Sequence, residues 1–319
     1  MDHPSRLQDL VRYGTLAASS HNSQCWRFRV AEQAITILPD WSRRCPVVDP
    51  DDHHLYVSLG CAAENILQAA KAHGWAGQVR FEAAGAGIHL TFAPCEPEIT
   101  PLFEAIPQRQ CSRTRYDGQP LTPEELTRLT AAGTGAGVQV VMLTHPADLA
   151  KVEAFVVQGN TAQLQNPAFV KELIAWIRFN PVEAARRGDG LSSAAAGNPA
   201  LPRWLGQIIL PWLLQPQLEN RKVVDQLRSS AGVAVFVSEV SDPAHWVEAG
   251  RCYERFALQA TALGIRHGFL NQPVEEAALR PQFAQALGLG ARRPDLVVRF
   301  GRGPAMPRSP RRSVAAVVG

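Results

Sequence analysis

Four short stretches carry the side chains best able to hold a polar ligand. The first is Ala18-Ser19-Ser20-His21-Asn22-Ser23-Gln24-Cys25-Trp26. Its hydroxyls and amides can face a planar polar molecule while Trp26 anchors the loop from behind. The same residues also suit a plain helix-ending turn. The second is Arg109-Gln110-Cys111-Ser112-Arg113-Thr114-Arg115. In extended chain, residues two apart share a face, so Arg109, Arg113 and Arg115 can converge on one anion, to which guanidinium forks are matched. A solvated basic loop has the same composition. The third, Pro310-Arg311-Arg312-Ser313, suits a phosphate or an idle basic tail. The fourth, Leu270-Asn271-Gln272-Pro273-Val274-Glu275, reads as a turn into a helix that starts at Pro273 and continues through Ala277 to Leu287.

Other clusters offer less. Asp49-Pro50-Asp51-Asp52-His53-His54 has metal-ligand residue types, but it precedes a helix, where capping and turn roles are expected. Gly133-Thr134-Gly135-Ala136-Gly137 follows a helix and precedes a strand, the reverse of a dinucleotide fingerprint. There is no GxSxG, HExxH or P-loop pattern. No catalytic side chain and no metal site are predicted.

Helices are predicted at Ser5 to Ala18, Val57 to His73, Thr122 to Ala132, Ala147 to Gln165, Pro167 to Phe179 and Trp246 to Leu263 from apolar spacing and start signals. Short strands are expected at Ala34 to Leu38, Val79 to Ala83, Ile88 to Phe92 (around an Ala84 to Gly87 turn), Val138 to Leu143, Val233 to Val237 and Leu296 to Phe300. Arg186 to Trp204, rich in Gly, Ser, Ala, Asn and Pro, reads as a long mobile loop. The mixture lacks a strict βαβ rhythm, so an α+β layered fold is expected. Laying Gly60 on Gly250 matches Gly60, Glu64, Ala70, Ala72 and Gly74 with Gly250, Glu254, Ala260, Ala262 and Gly264. That is either the common likeness of Ala-rich helices or a duplicated unit whose two helices pack about a pseudo-two-fold axis.

The 319 residues, 46% hydrophobic and 19% charged, can bury a sizeable core in two domains or one two-part domain. A net charge of +3 gives no general case for nucleic acid or membrane binding. Trp204 to Leu214 is the longest apolar stretch and is too short to span a bilayer. Met1 to Leu10 lacks a signal-peptide core, and the 6 cysteines form no CxxC pair. A cytoplasmic location is therefore expected.

Together the motifs resemble the nitroreductase superfamily, and in particular its single-chain, two-half, Acg-like branch. The Ser19-to-Trp26 loop, Arg109 to Arg113, Gln272-Pro273-Val274-Glu275, Pro310-Arg311-Arg312, and Cys45 to Asp51 before the Gly60 helix carry the likeness, from about residue 10 to 316. Cys25 stands where the family pattern has Pro, and Cys111 where it has Thr or Ser, with Ser112 as a neighbouring substitute. The resemblance implies an intramolecular pseudo-dimer: a first half over 1–105 and a second over 106–319, with a lid-like insertion at about 160–220. It implies one FMN per chain. Arg109, Ser112, Arg113, Arg311 and Arg312 would hold the phosphate and ribityl end. Ser19, Ser20, Asn22 and Gln24 would line the other side, and Gln272, Pro273 and Val274 would approach the ring. The implied activity is NAD(P)H-dependent reduction of nitro compounds, quinones or similar flat oxidised molecules. The alternative is a non-catalytic protein that sequesters FMN. A monomer would suffice, and a homodimer stays open.

Overall fold

The computed structural model describes residues 3–85 and 87–319. Met1, Asp2 and Ala86, which fall in the expected polar N-terminus and the expected 84–87 turn, lie outside the described residues. The fold is α+β, built twice over in one chain.

The first unit runs α1 (His3–Thr15), β1 (Trp26–Val30), β2 (Ala34–Pro39), α2 (His53–Ala72), β3 (Trp75–Glu82) and β4 (Gly87–Pro94), with an antiparallel sheet ordered β1-β2-β4-β3. A short connector helix, α3 (Pro101–Ala105), follows. The second unit begins with α4 (Pro123–Ala132) and β5 (Val138–Leu143). An insertion then holds α5 (Pro146–Gln165), α6 (Pro167–Trp176), β6 (Ile177–Arg178), α7 (Pro181–Arg187), β7 (Leu191–Ser192), α8 (Arg203–Leu213) and α9 (Pro216–Arg228). The unit resumes with β8 (Gly232–Ser238), α10 (Pro243–Ala262), β9 (Arg266–Phe269), α11 (Gln272–Glu275), α12 (Arg280–Ala286) and β10 (Arg293–Gly301). Its sheet, ordered β5-β8-β10-β9, is antiparallel throughout and repeats the topology of the first. The tight β1–β2 hairpin of the first unit is replaced in the second by everything between β5 and β8, so the insertion is wider than 160–220.

The overlaid helices are the structural equivalents. α2 and α10 each have 20 residues, and they pack directly on one another. A Cβ on Gly60 would lie 2.0 Å from the carbonyl oxygen of Val247, and one on Gly250 would lie 2.0 Å from that of Val57. The contact is reciprocal, as a pseudo-two-fold axis requires, and only glycine permits backbones this close. α2 is buried along almost its whole length, including His53, His54 and Tyr56. It starts before Val57 because both carboxylate oxygens of Asp49 accept hydrogen bonds, from the backbone amides of His54 and Leu55, each at 2.9 Å. Apolar spacing alone could not show that cap.

Each unit also lends its trailing segment to the other. After β4 the chain crosses so that α3 packs on α10 and the amide of Ser112 donates to the carbonyl of His267 in β9. After β10 the tail returns, and the amide of Phe28 donates to the Val317 carbonyl at the edge of β1. This exchange brings residues 309–312 against the loop after α1.

The Arg186 to Trp204 segment is not a free loop. It contains the end of α7, β7, a 3-10 turn at Ala194–Ala196 and the start of α8. Asp189 ties it down by pairing with Arg178 at 2.8 Å and with Arg43. The helix expected from Pro273 to Leu287 is two short helices, α11 and α12, with Leu279 between turns rather than one continuous rod.

Candidate functional site

The loop after α1 is held in an unusual backbone shape. His21, Asn22 and Gln24 have φ of 49°, 51° and 53°. Left-handed backbone costs a non-glycine residue on the order of 1–2 kcal/mol, and such strain persists only where neighbours over-determine it. Here they do. The Asn22 side-chain amide donates to the carbonyls of Gly190 (3.0 Å) and Pro310 (3.2 Å). Gln24 donates to the Gly188 carbonyl (2.8 Å) and accepts from the Arg312 amide (2.8 Å). The Ser19 hydroxyl accepts from the Gln24 amide at 3.0 Å. Loop, insertion and C-terminal tail are thus laced together by buried amides.

A cavity of about 650 Å³ opens beside this junction. Its polar wall includes Ser19, Ser20, His21, Asn22, Arg109 and Arg311, with Arg113, Ser58 and His54 nearby. Gln272 approaches from the second unit, set in place where α11 meets α5: a Cβ on Gly159 would lie 2.7 Å from the Gln272 backbone. Much of the apolar lining comes from the insertion, through Phe169, Leu173, Phe179, Leu201, Ile209 and Leu210.

Charge is distributed unevenly around the polar wall. Arg109 is buried, and its Nε stands 2.9 Å from Oε1 of Glu254, a close ion pair without the angle of a straight hydrogen bond. Burial opposes the Arg109 charge, but the Glu254 carboxylate outweighs it and holds the guanidinium more firmly protonated than usual. Burial pushes Glu254 up and Arg109 pulls it back. Among the described residues Arg311 pairs with no carboxylate. Its Nη atoms reach the carbonyls of Ser309 (3.0 Å), Leu16 and Ala17 (both 3.4 Å), and its buried Nε has no partner among them. Burial, then repulsion by Arg109, push the Arg311 guanidinium down to about 10. Two further buried atoms on this wall lack partners, Nδ1 of His21 and Oε1 of Gln272. Burial, then the Arg113 charge, lower His21 to about 4, so its imidazole is neutral at pH 7. Buried polar groups are nearly always satisfied. A wall with a spare guanidinium nitrogen, a spare imidazole nitrogen and a spare amide oxygen fits a polar ligand with an anionic end.

Of the residues singled out from sequence, Ser19, Ser20, Asn22, Arg109, Arg113, Gln272 and Arg311 line this cavity. Gln24, Ser112, Pro273, Val274 and Arg312 do not, each for a visible reason. Gln24 is fully buried and spends its amide on the tail and on Gly188. The Ser112 hydroxyl turns inward to Thr114, 3.0 Å away. Pro273 and Val274 pack into the core behind Gln272. Arg312 turns to the carbonyls of Gln24 and Ala316. The expected convergence of Arg109, Arg113 and Arg115 also fails, because Arg115 points outward to Asp225. Sequence reading gave no site role to Glu254, and to the Asp49-to-His54 stretch only capping and turn roles. A glutamate on the buried face of an Ala-rich helix was the available signal for the first.

Asp49, His53 and His54 bring ligand atoms within 4.8 Å of one another. Their groups are already engaged. Asp49 caps α2, Nε2 of His53 meets Asp295 at 2.9 Å, and Nε2 of His54 faces the Asn271 amide at 3.4 Å.

The chain matches no protein-family model. It is 28% identical over 330 aligned positions to a Mycobacterium tuberculosis protein named "Putative NAD(P)H nitroreductase", known from two strains, with 98% of this chain and 90% of that protein covered. Among solved structures, an FMN-dependent nitroreductase of Mycobacterium smegmatis in complex with NADPH aligns at 15% identity and TM-score 0.42, over 66% of this chain and 94% of that one. A nitroreductase of Bacteroides fragilis with bound FMN aligns at 13% identity and TM-score 0.41, over 67% and 95%.

Proposed function

We propose that this chain is a nitroreductase-type flavoprotein of the single-chain, two-half, Acg-like kind, an NAD(P)H oxidoreductase that binds one FMN. In this reading residues 1–105 and 106–319 are the two halves. The observation that carries it is the half-buried Arg311, whose buried Nε has no partner and which pairs with no carboxylate among the described residues, on the same wall as the left-handed loop at His21 and Asn22. The similarity along 98% of the chain to a protein named as a nitroreductase supports the same reading.

Arg311 would hold the FMN phosphate, with Arg113 at the cavity mouth and Arg109 adding charge from beneath. Ser19, Ser20 and His21 would meet polar atoms of the ligand from the first half, and Gln272 from the second. Bound there, FMN would supply two-electron redox chemistry between NAD(P)H and a flat oxidised molecule such as a quinone or nitro compound. The chain's own contribution is position and dryness. Asn22 and Gln24 lock the loop to the tail, so the polar wall is preorganised before a ligand arrives. Phe179, Leu201 and Leu210 exclude water from the far side. No side chain serves as a nucleophile.

The test is an absorbance spectrum of protein reconstituted with FMN, followed by NAD(P)H under anaerobic conditions. Bleaching of the bound flavin and reoxidation by a quinone, with ping-pong kinetics, are the expected results. Sequential kinetics would overturn the shared-site exchange of the two substrates. One observation favours the storage reading: the insertion and tail lie over the cavity, tied through Asn22. Bound FMN that stays yellow in excess NAD(P)H would decide for storage.

A further inference from the structure

Position and dryness leave one part of the chemistry without a source. Reducing a quinone to a quinol takes a hydride equivalent and a further proton. Apolar side chains that keep water from the cavity also keep away the commonest proton donor. Two carboxylates line the cavity, Glu219 and Glu275, and their surroundings differ. Glu219 pairs with Lys222 at 3.2 Å. Half-buried Glu275 pairs with no base among the described residues. Its Oε2 accepts from the Gln163 amide at 2.7 Å, and its Oε1 accepts no hydrogen bond among the described residues.

The fold sets Glu275 in place from three directions. Gln272 and Glu275 stand three residues apart on α11, on one face of the turn, and both line the cavity. The turn is pinned. Oδ1 of Asn271 accepts from the Val297 amide at 2.9 Å, and the Glu275 amide donates to the Asn271 carbonyl at 2.9 Å. From the first unit, His54 lines the same cavity. Its Nδ1 lies 3.4 Å from Oδ1 of Asp49, and its Nε2 lies 3.4 Å from the Asn271 amide. Both ring nitrogens of His54 are thus engaged, whereas Glu275 has an oxygen to spare. The charges and titratable groups around the two come from both units. Asp49, His53, Cys45 and His21 belong to the first. The second supplies Arg293 and Asp295 on β10, Arg280 on α12, and Glu276 beside Glu275. Burial pushes the Glu275 carboxyl above the ordinary carboxylate range, against the pull of the His54 charge and the Gln163 hydrogen bond. Burial opposes the His54 charge, but Asp49, then Glu275, outweigh it and hold the imidazolium above its ordinary range.

We propose that Glu275 is the proton donor of this cavity, giving its carboxyl proton to a quinone oxygen as the quinone takes the hydride equivalent. The assignment rests on the redox reading above. The quinone gains two electrons and two protons. The hydride equivalent that comes from NAD(P)H carries both electrons and one proton, and Glu275 supplies the other. Glu275 is left as a carboxylate and regains a proton from solvent, so the net products are quinol and NAD(P)⁺. His54 tunes the donor, because its positive charge favours the carboxylate that the transfer leaves behind. Only protonated Glu275 can donate. Reoxidation of the bound flavin is therefore fastest at low pH and slows as pH rises through the Glu275 midpoint, which lies above the ordinary carboxyl value of 4.5.

The experiment is stopped-flow absorbance of FMN-loaded wild type and Glu275→Gln. Reduction by NAD(P)H and reoxidation by a water-soluble quinone are timed separately, from about pH 5 to about pH 9. Glutamine keeps an oxygen for the Gln163 amide and removes only the proton. The variant should take up FMN and be reduced at the wild-type rate, while its reoxidation falls about a hundredfold and loses its pH dependence. A second readout needs no cofactor. In the FMN-free chain, the infrared difference between wild type and Glu275→Gln should show a carboxylic acid band that persists above pH 4.5. His54→Gln removes the positive charge facing Glu275 and should move both that band's midpoint and the fall in reoxidation to higher pH. Unaltered reoxidation in Glu275→Gln, equal slowing of both half-reactions, or a Glu275 band already lost at pH 4.5 would overturn the assignment. If the variant fails to fold, wild-type reoxidation that is flat across the pH range overturns it equally. Failure of the wild type to take up FMN would overturn the redox reading and the proton step together. It is read from the flavin spectrum alone, whereas FMN uptake with unaltered reoxidation overturns only the proton step.

Discussion

Arg109 is buried and Arg311 half-buried on one wall, and their partners set them apart. Arg109 has Glu254, while Arg311 has only carbonyls. A charge-assisted hydrogen bond contributes about 1.5–3 kcal/mol, so Arg311→Ala should weaken FMN binding by roughly ten- to a hundredfold. Riboflavin, which lacks the phosphate, should bind the variant and the wild type alike, and fluorescence titration of both ligands checks this. Glu254→Gln should act on the fold instead. Removing one partner of a buried pair costs on the order of 3–5 kcal/mol, measurable as a lowered denaturant midpoint. His267 gives the pH prediction. Burial, then the Arg109 charge, lower it to about 3. The unfolded chain therefore takes up this proton at higher pH than the folded one. The associated stability is full above about pH 6.5 and is lost as pH falls toward 3, on the order of 5 kcal/mol across the window. His267→Gln should flatten that part of the stability-against-pH curve, as measured by denaturation at stepped pH.

At the scale of elements, the α2–α10 contact decides whether two units make one molecule. Gly250→Ala would drive a methyl group to 2.0 Å from the Val57 carbonyl oxygen. Overpacking of this kind costs about 3 kcal/mol or more where backbone must move. Gly264→Ala is the control: its φ is +70° but nothing lies within 4 Å, so only the left-handed penalty of about 1–2 kcal/mol applies. A thermal-melt comparison of the two variants should rank them in that order. The loop after α1 is the other decisive element, since its three left-handed residues point side chains that an ordinary turn would scatter.

Across the whole molecule, the exchanged trailing segments place both arginine-bearing stretches against one loop copy, so the expected stoichiometry is one FMN per chain. Equilibrium titration checks this, and two sites per chain would contradict it. Because the site spans both units, ligand binding should stabilise them together. FMN at a hundred times its dissociation constant should add about 2.7 kcal/mol, seen as one cooperative transition moving upward rather than two transitions separating.

The sequence by itself determined the two long Ala-rich helices, most strands and the stretches that meet at the cavity, and left open whether the two helices are equivalents. Those depend on local matters: apolar period, cap residues, and glycine where backbones touch. Only the tertiary structure decided which side chain of each stretch faces the cavity. Gln24 and Arg312 carry the right groups yet spend them on backbone hundreds of residues away in the chain. Glu254 neutralises Arg109 from α10, far along the chain. The inward turn of Ser112 and the outward swing of Arg115 were likewise beyond local reading, because a side chain's direction is fixed by whichever partner packing brings within hydrogen-bond range.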